Sequence, residues 1–329
     1  MVSKINLALF GGGYWGSKLA SEYIQLQREK YNQEFNFFGI VDPDKERLSK
    51  IGNRLNLPST MLFSDVEQCM RNRDITAVHI ATPTETHYNI AEQALDESKH
   101  VLLEKPMAMN SRDAFRLARL AEKNGQILLV GHIFRFNSAL TLAREILQNA
   151  RIGRINYIQL SWVDYLNPIP DRDIIFDLLP HPVDILNYLT EEWPSSIYAQ
   201  SISYTRPAEK QMEDMAFIVM EMPDRTSAQI TLSWIQPGIK ERAVMVTGSD
   251  ATMSIDTLTQ NIELFNAYGR KNVNVEKNNT IKSMVCHFLN CILGSENPSN
   301  SSLVGAMTVS ILSAARRSLS EKRGLAILE

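Results

Sequence analysis

Cysteine is scarce in this sequence, which has only Cys69, Cys286 and Cys291 among its 329 residues. Their number is odd and no two of them form a C-x-x-C pair, so a disulfide framework is not expected. No cluster of residues has the ligand spacing of a zinc or iron site, and we expect no bound metal. Buried thiols without disulfides favour a reducing compartment, and the sequence predicts a cytoplasmic protein.

A strong excess of charge of either sign is also absent. The chain has 34 Lys and Arg residues against 37 Asp and Glu residues, with a net charge of -3. This balance provides no basic surface of the kind that nucleic acid or anionic membranes require, so a small molecule is the expected partner. No apolar run approaches the roughly 20 residues of a membrane helix. The first residues, MVSKINLALFGGGYWG, end their short apolar run in glycines, which is not the pattern of a secretory signal.

Two strand patterns divide the chain. The first half has short apolar runs that are mostly separated by amphipathic helical segments, as in a parallel sheet covered on both faces: INLALF, FNFFGIV, AVHIA, HVLLE and QILLV. From Arg154 onward the runs are longer and alternate with polar residues, which favours antiparallel strands. The sequence therefore predicts an α/β protein. A doubly wound parallel sheet is expected in residues 1–130, and an α+β domain with a large, mainly antiparallel open sheet in residues 131–329.

A glycine-rich turn follows the first predicted strand. Gly11, Gly13 and Gly16 match G-x-G-x-x-G directly before a predicted helix. In a Rossmann fold the first glycine makes the turn tight, the second lets a pyrophosphate approach, and the third lets the helix pack on the sheet. We therefore predict that this turn, including Tyr14 and Trp15, binds a dinucleotide. The alternative is a glycine-rich strand-to-helix turn without a ligand.

The second predicted strand ends at Asp42. A carboxylate at this place accepts hydrogen bonds from the adenosine ribose hydroxyls and repels a 2'-phosphate, so the sequence favours NAD over NADP. Lys45 and Arg47 follow closely, and they keep NADP open as the cofactor. The alternative is that DPDKE forms a solvated turn in which Asp44 caps the next helix.

Two further stretches, VHIATPTETHYNIAEQAL and KHVLLEKPMAMN, resemble the glucose-fructose oxidoreductase, inositol dehydrogenase and rhizopine-catabolism family (Gfo/Idh/MocA). Members of this family share a strand, a Thr-Pro turn, a helix and then an E-K-P triplet. The resemblance extends over nearly the whole chain, through GGGYWG, GHIFRFN and FDLLPHPVDIL. It implies a Rossmann domain followed by a domain that binds substrate and forms oligomers.

The Thr-Pro turn and the E-K-P triplet come just past two predicted parallel strands, where open α/β folds bind their ligands. We predict that Thr82, Pro83, Glu104 and Lys105 lie at the cofactor edge. A lysine at this place can point its ammonium at a substrate oxygen. The resemblance implies that Lys105 is catalytic or orients substrate, and that its bond to Pro106 is often cis. The alternative for Lys105 is an ordinary surface charge.

The resemblance also implies that an acid and an imidazole four residues apart, Asp177 and His181, line the substrate cleft. His181 can transfer a proton near neutrality, and Asp177 can orient it or contact substrate hydroxyls. Leu179 stands where many members have glycine, a form more like members from sugar-nucleotide pathways. Pro182 predicts either a helix that begins near Leu179 or a kinked one, and Asp184 is predicted to be structural.

The remaining candidates are four histidines and an arginine. His87 is predicted to be structural or to lie at the cofactor edge. His132 is predicted to face the cleft, and Arg135 either to bind an anionic substrate group or to pair with a neighbouring acid. We interpret His79 and His100, which lie in or at the start of apolar strands, as structural.

The resemblance implies an NAD(P)-dependent oxidoreductase. Hydride would pass between nicotinamide and a secondary alcohol or ketone of a sugar, cyclitol or sugar nucleotide, with Lys105 and His181 handling the hydroxyl proton. The alternatives are a glycosidase that oxidises its substrate transiently with bound NAD, and a non-catalytic dinucleotide-binding regulator. Trp162 is a further candidate for substrate contact. The strands that carry Trp162 and Trp234 predict either a homodimer or homotetramer surface or core packing.

Overall fold

The computed structural model describes residues 4–29, 35–165, 173–204 and 213–327. They form two compact units. The first unit ends at Gly131 and also includes Ile281–Ala306, while the second consists of His132–Thr280 and the residues from Met307 onward. The predicted domain division, residues 1–130 and 131–329, stays a prediction. It placed residues 281–306 in the second domain, whereas these residues belong to the first compact unit.

The first unit contains a six-stranded parallel sheet in the order β3-β2-β1-β4-β5-β6. Its strands are β1 (Ile5–Phe10), β2 (Phe35–Val41), β3 (Leu62–Phe63), β4 (Ala77–Ile80), β5 (His100–Leu103) and β6 (Leu128–Val130). All four residues of β4 are buried, as expected for a strand covered on both faces. The predicted doubly wound parallel sheet is confirmed.

Helices connect these strands. They are α1 (Tyr14–Arg28), α2 (Lys45–Leu55), α3 (Val66–Arg71), α4 (His87–Asp96) and α5 (Ser111–Asn124), with short 3-10 turns at Ser59–Met61 and Thr84–Thr86. The Asp44 carboxylate accepts a hydrogen bond from the backbone N–H of Arg47 and so caps α2. This cap confirms the role that the sequence suggested for Asp44.

The second unit contains a nine-stranded sheet in the order β14-β13-β12-β11-β7-β10-β9-β8-β15. Its strands are β7 (Ile155–Val163), β8 (Ser196–Ile202), β9 (Met215–Glu221), β10 (Ser227–Ser233), β11 (Glu241–Gly248), β12 (Thr252–Asp256), β13 (Asn261–Asn266), β14 (Gly269–Val273) and β15 (Leu325–Ala326). Strands β7 and β10 pair in parallel and the other pairs are antiparallel, so the predicted mainly antiparallel sheet is confirmed.

The remaining helices are α6 (Ser138–Gln148), α7 (Ile174–Leu178), α8 (Pro180–Thr190), α9 (Thr280–Ile292) and α10 (Ser302–Glu321), with a 3-10 turn at Ile133–Phe136. Helix α8 starts at Pro180, so both prolines lie in its tolerant first turn, and Leu179 separates it from α7. Among the helices in the described ranges, none is long and apolar enough to cross a membrane.

Candidate active site

The glycine turn requires glycine at two positions. Gly11 has φ +104°, and a Cβ on it would lie 2.4 Å from the carbonyl oxygen of Ala81. A Cβ on Gly16 would lie 1.9 Å from the carbonyl oxygen of Gly11, so α1 can pack this closely only without a side chain there. The turn is therefore built for close backbone approach, as dinucleotide binding requires.

The start of α1 fits an anionic ligand. Gly13 is its N-cap residue and provides no side-chain cap, and a Cβ on Gly13 would meet no heavy atom of the described residues within 4 Å. The first N–H groups of α1 thus border open space at the positive end of the helix dipole, which suits a pyrophosphate. Tyr14 is largely exposed beside this space, and Trp15 is half-buried.

Asp42 follows β2 and is 2% exposed. Its carboxylate accepts hydrogen bonds from the backbone N–H groups of Gly12, at 2.7 Å, and Asp44, at 2.9 Å. Arg47 Nη1 donates to both of its oxygens at 3.0 Å. Asp42 is thus tied to the glycine turn, as expected for a ribose-binding acid, while its charge is compensated by Arg47.

A surface cavity of about 320 Å³ opens beside this acid. Its lining combines the glycine turn with one face of α2 and consists of Gly12, Gly13, Tyr14, Arg47, Lys50, Ile51 and Arg54. Three of these residues are cations spaced three or four positions apart, which places them on the same helical face. Of the three, only Arg47 was predicted near the cofactor; Lys50 and Arg54 were not, although their spacing along α2 placed them on the face of Arg47.

The Thr-Pro turn and the E-K-P triplet are joined by His87. Its Nδ1 lies 2.8 Å from the carbonyl oxygen of Pro106, and its Nε2 lies 3.0 Å from that of Thr82. The Lys105–Pro106 peptide bond is cis, as the resemblance implied. His87 is 1% exposed, so its ring connects the backbone at the ends of β4 and β5. The glycine turn, Asp42 and these two segments all follow parallel strands at their carboxyl ends, and so they share one edge of the sheet.

Glu104 is a buried carboxylate at this edge, only 7% exposed. Burial alone would raise its pKa, but hydrogen bonding and charge from His79, hydrogen bonding by Trp15 and the charge of Lys105 together lower the pKa below its usual value. The carboxylate therefore stays ionised although it is buried. Lys105 itself is partly exposed.

In the second unit, His181 lies against two aromatic rings. Its ring centroid is 5.0 Å from that of Phe134, edge to face, and 6.1 Å from that of Trp162. Asp177 is 5% exposed and accepts a hydrogen bond from Trp234 Nε1 at 3.3 Å. Trp162 and Trp234 are each 1% exposed. Of the two predicted alternatives, oligomer surface and core packing, these two side chains show core packing.

Arg135 is engaged by an acid of its own unit. Its Nε donates to Asp184 Oδ1 at 2.7 Å, and its Nη2 donates to Asn187 Oδ1 at 2.6 Å. His132 Nδ1 lies 3.8 Å from the same Asp184 oxygen, and both residues are 1% exposed. Of the two alternatives for Arg135, the structure shows the ion pair, and a contact with substrate stays a prediction.

Two family models match this chain. Residues 5–132 match an oxidoreductase family with an NAD-binding Rossmann fold, and residues 140–254 match the GFO/IDH/MocA C-terminal domain. The chain belongs to the GFO/IDH/MocA family of oxidoreductases.

Several GFO/IDH/MocA relatives are similar to this chain. UDP-N-acetylglucosamine 3-dehydrogenase from Acidithiobacillus ferrooxidans is 26% identical over 73% of each chain, and a solved structure of that enzyme covers 98% of this chain and 99% of its own with a TM-score of 0.83. A 1-carboxy-3-chloro-3,4-dihydroxycyclohexa-1,5-diene dehydrogenase from Comamonas testosteroni is 30% identical over 46% of this chain, a match that spans 41% of that relative. Levoglucosan dehydrogenase, solved with NADH and levoglucosan, has a TM-score of 0.87 at 17% identity over 99% of this chain and 100% of its own.

In this GFO/IDH/MocA member, a buried arginine that was not predicted from the sequence lies beside Trp162, one of the two rings next to His181. Arg242 is 8% exposed, its Nη1 donates to the carbonyl oxygen of Val163 at 2.7 Å, and its guanidinium lies 5.5 Å from the Trp162 ring centroid. Burial lowers the pKa of Arg242, against the opposing charges of Asp164 and Asp177. Arg242 lies opposite Trp162 in the pairing of β11 with β7. The sequence does not show which strands pair, so this neighbour could not be predicted from it.

Proposed function

We propose that this protein is a nicotinamide-dinucleotide-dependent dehydrogenase or reductase. Its proposed substrate is a secondary alcohol or ketone of a sugar, cyclitol or sugar nucleotide. The observation that carries the proposal is the shared sheet edge: Lys105 follows β5 at the same edge where the glycine turn follows β1 and Asp42 follows β2. A cation at that edge is suited to hold or move the proton of a substrate hydroxyl.

The proposed roles follow from what each residue can do. When bound, the dinucleotide would supply or accept the hydride at its nicotinamide. Lys105 is the group that holds the substrate oxygen and its proton. His181 is the second proton-transfer group, and Asp177 orients, as the resemblance implies. The aromatic contacts of His181 and the Trp234 hydrogen bond to Asp177 support these roles by limiting the rotamers of both side chains.

We further propose NAD as the preferred cofactor. The support is the hydrogen bond between the Gly12 N–H and Asp42, which keeps a carboxylate beside the glycine turn, where a 2'-phosphate would be repelled. The neighbouring cations Arg47, Lys50 and Arg54 weaken this discrimination, so use of NADP at a lower efficiency is also expected.

The function is tested by a cofactor-reduction screen across sugars, cyclitols and sugar nucleotides, with NAD and NADP in parallel. A substrate-dependent rise in absorbance at the reduced-nicotinamide band supports the proposal. Product formation without a net change at that band identifies instead a hydrolase with transient oxidation. Dinucleotide binding without turnover of any compound favours a regulator.

The role of Lys105 is tested by Lys105→Ala with the substrate from that screen. Turnover should fall by about two orders of magnitude or more while dinucleotide affinity is retained, because the proton-handling group is lost and the glycine turn is intact. Near-normal turnover in Lys105→Ala would exclude the proposed role. Lys123→Ala, at an exposed position on α5, is the matched control.

A homodimer or homotetramer through the nine-stranded sheet is also proposed. One face of that sheet carries exposed apolar side chains on four strands: Tyr157 (39%), Tyr198 (43%), Val219 (49%) and Met245 (37%). Sedimentation of the protein and of Val219→Lys tests it, and a monomeric wild type would exclude it. The three free cysteines support the proposed cytoplasmic location.

A further inference from the structure

A buried series of hydrogen bonds connects α1 with the residue before Lys105. The Tyr23 hydroxyl lies 2.8 Å from His79 Nδ1, and His79 Nε2 lies 3.4 Å from Glu104 Oε1. Tyr23 and His79 have no exposed surface. Three elements, α1, β4 and the end of β5, thus contribute one side chain each to a continuous polar path inside the first unit.

The imidazole of His79 determines which groups donate and which accept along this path. A neutral histidine has one donor and one acceptor nitrogen. Since the pKa of Glu104 is lowered and its carboxylate can only accept, Nε2 of His79 donates to Glu104. In the neutral ring Nδ1 then accepts from the Tyr23 hydroxyl. Burial and the charge of Glu104 raise the pKa of Tyr23, so its hydroxyl stays protonated and able to donate.

Glu104 is also confined from its other side. A Cβ on Gly131 would lie 2.7 Å from Glu104 Oε2, so the carboxylate occupies space that only a glycine leaves open. The Gly131 N–H donates to the carbonyl oxygen of Leu103 at 2.8 Å, which fixes this backbone beside β5. Together with His79, these contacts hold the carboxylate in one place.

We propose that His79 and Tyr23 are positioning residues that keep Glu104 anionic and in place, so that its charge holds the neighbouring Lys105 amine in the ammonium form. The proposal deepens the proposed function, since it rests on the role of Lys105 there. Without the His79 donor, a buried carboxylate takes up a proton, and Lys105 loses the adjacent negative charge that stabilises its cation. His79 is then part of the site through Glu104, although it contacts neither substrate nor cofactor.

Few titratable groups in the described residues act on this path. His79 and Lys105 act on Glu104, and so does the Trp15 indole. Tyr23 is influenced by Glu104 and by Cys286 of α9. A change in the Lys105 titration after substitution of His79 would therefore be transmitted through Glu104.

The test measures the titration of Lys105 without any substrate. The intact protein is labelled briefly with acetic anhydride from pH 6 to pH 11, and acetylation of Lys105 is quantified by peptide mass spectrometry with exposed Lys123 as internal reference. Only the neutral amine reacts, so the midpoint reports its protonation. The variants are His79→Leu, which removes the donor, His79→Gln, which restores an N–H, and Glu104→Gln, which removes the charge at constant shape.

We expect His79→Leu and Glu104→Gln to move the Lys105 midpoint to lower pH by about one unit or more, because the opposite charge that acts on Lys105 is lost. His79→Gln should remain near the wild type, and Tyr23→Phe should show a smaller shift in the same direction. The matched control is His100→Asn, since the His100 ring accepts the Ile127 N–H at 3.0 Å just before the adjacent strand β6 and influences neither Glu104 nor Tyr23.

An unchanged midpoint in Glu104→Gln overturns the proposal, and this holds even where His79→Leu does not fold. An equal shift in His100→Asn also overturns it, because the effect would then reflect general loosening of the sheet. Failure of the proposed function is separate: it is shown by the cofactor-reduction screen, and failure of the role of Lys105 by near-normal turnover in Lys105→Ala. The labelling midpoint reports the positioning alone.

Discussion

Replacement of Asp42 by asparagine should shift the cofactor preference toward NADPH. Asparagine keeps the shape but only one acceptor oxygen, so it retains the hydrogen bond from the N–H of either Gly12 or Asp44, which now donate to different oxygens of Asp42, and it removes the charge that repels a 2'-phosphate. It also releases Arg47, whose Nη1 donates to both carboxylate oxygens of Asp42 at 3.0 Å. The freed guanidinium, next to Lys50 and Arg54, can then pair with a phosphate.

The magnitude follows from these contacts. A hydrogen bond to a charged group contributes about 1.5–3 kcal/mol. Since the Arg47 side chain is 48% exposed, we take the lower limit, which is roughly a tenfold gain in NADPH affinity. NADH exchanges a charged acceptor for a neutral one and should lose about 1 kcal/mol, or roughly fivefold. The ratio of the two affinities should thus change by about fiftyfold.

The assay is a fluorescence titration of wild type and Asp42→Asn with NADH and NADPH at one ionic strength. Asp44→Asn is the matched control, because Asp44 also pairs with Arg47, at 3.2 Å, but caps α2 and is exposed. Asparagine retains the cap. A ratio that changes less than about threefold in Asp42→Asn, or equally in both variants, would refute the reasoning.

Three further outcomes are expected. Gly131→Ala should destabilise the protein by about 1–3 kcal/mol, because the new methyl group would lie 2.7 Å from Glu104 Oε2. Urea unfolding measures this loss, and an unchanged unfolding midpoint would contradict the contact. Arg135→Met should lower the free energy of unfolding by about 3–5 kcal/mol, because Asp184 is 1% exposed and loses its cation; a double variant with Asp184→Asn should lose less than the sum of the single changes. Burial raises the pKa of Cys69 to about 11 and that of Cys291 to about 12, so neither thiol should react with iodoacetamide at pH 8 in the native protein, and rapid alkylation seen by mass spectrometry would contradict this burial.

The cofactor edge could be predicted from the sequence because its signals are local. Gly11 and Gly16 sit at a strand-to-helix junction, and the apolar runs before Asp42 and Glu104 mark where strands end. Parallel strands bring their carboxyl ends to one edge whatever the details of packing. A few positions in the chain therefore predicted much of the geometry.

Contacts between distant segments could not be predicted in this way. His79 lies in an apolar strand, and its partners Tyr23 and Glu104 are 56 and 25 residues away. The partner of Arg135, Asp184, is 49 residues away. Alternation along a strand shows which residues share a face, but which face is covered depends on the packing of other elements. For this reason the sequence could not decide whether Trp162 and Trp234 lie in the core or at an oligomer interface.

The return of residues 281–306 to the first unit bears on how the chain is made. The outer strand β6 is completed late, since the Val130 N–H donates to the carbonyl oxygen of Asn300 at 2.9 Å and Asn300 Nδ2 donates back to Val130, 170 residues away in sequence. During synthesis the Rossmann sheet therefore remains incomplete, with β6 unprotected along one side, until residue 300 has left the ribosome. An exposed strand of this kind invites pairing with other chains. Chaperone demand and yield at high expression temperature should accordingly depend on residues 281–306 more than on the glycine turn.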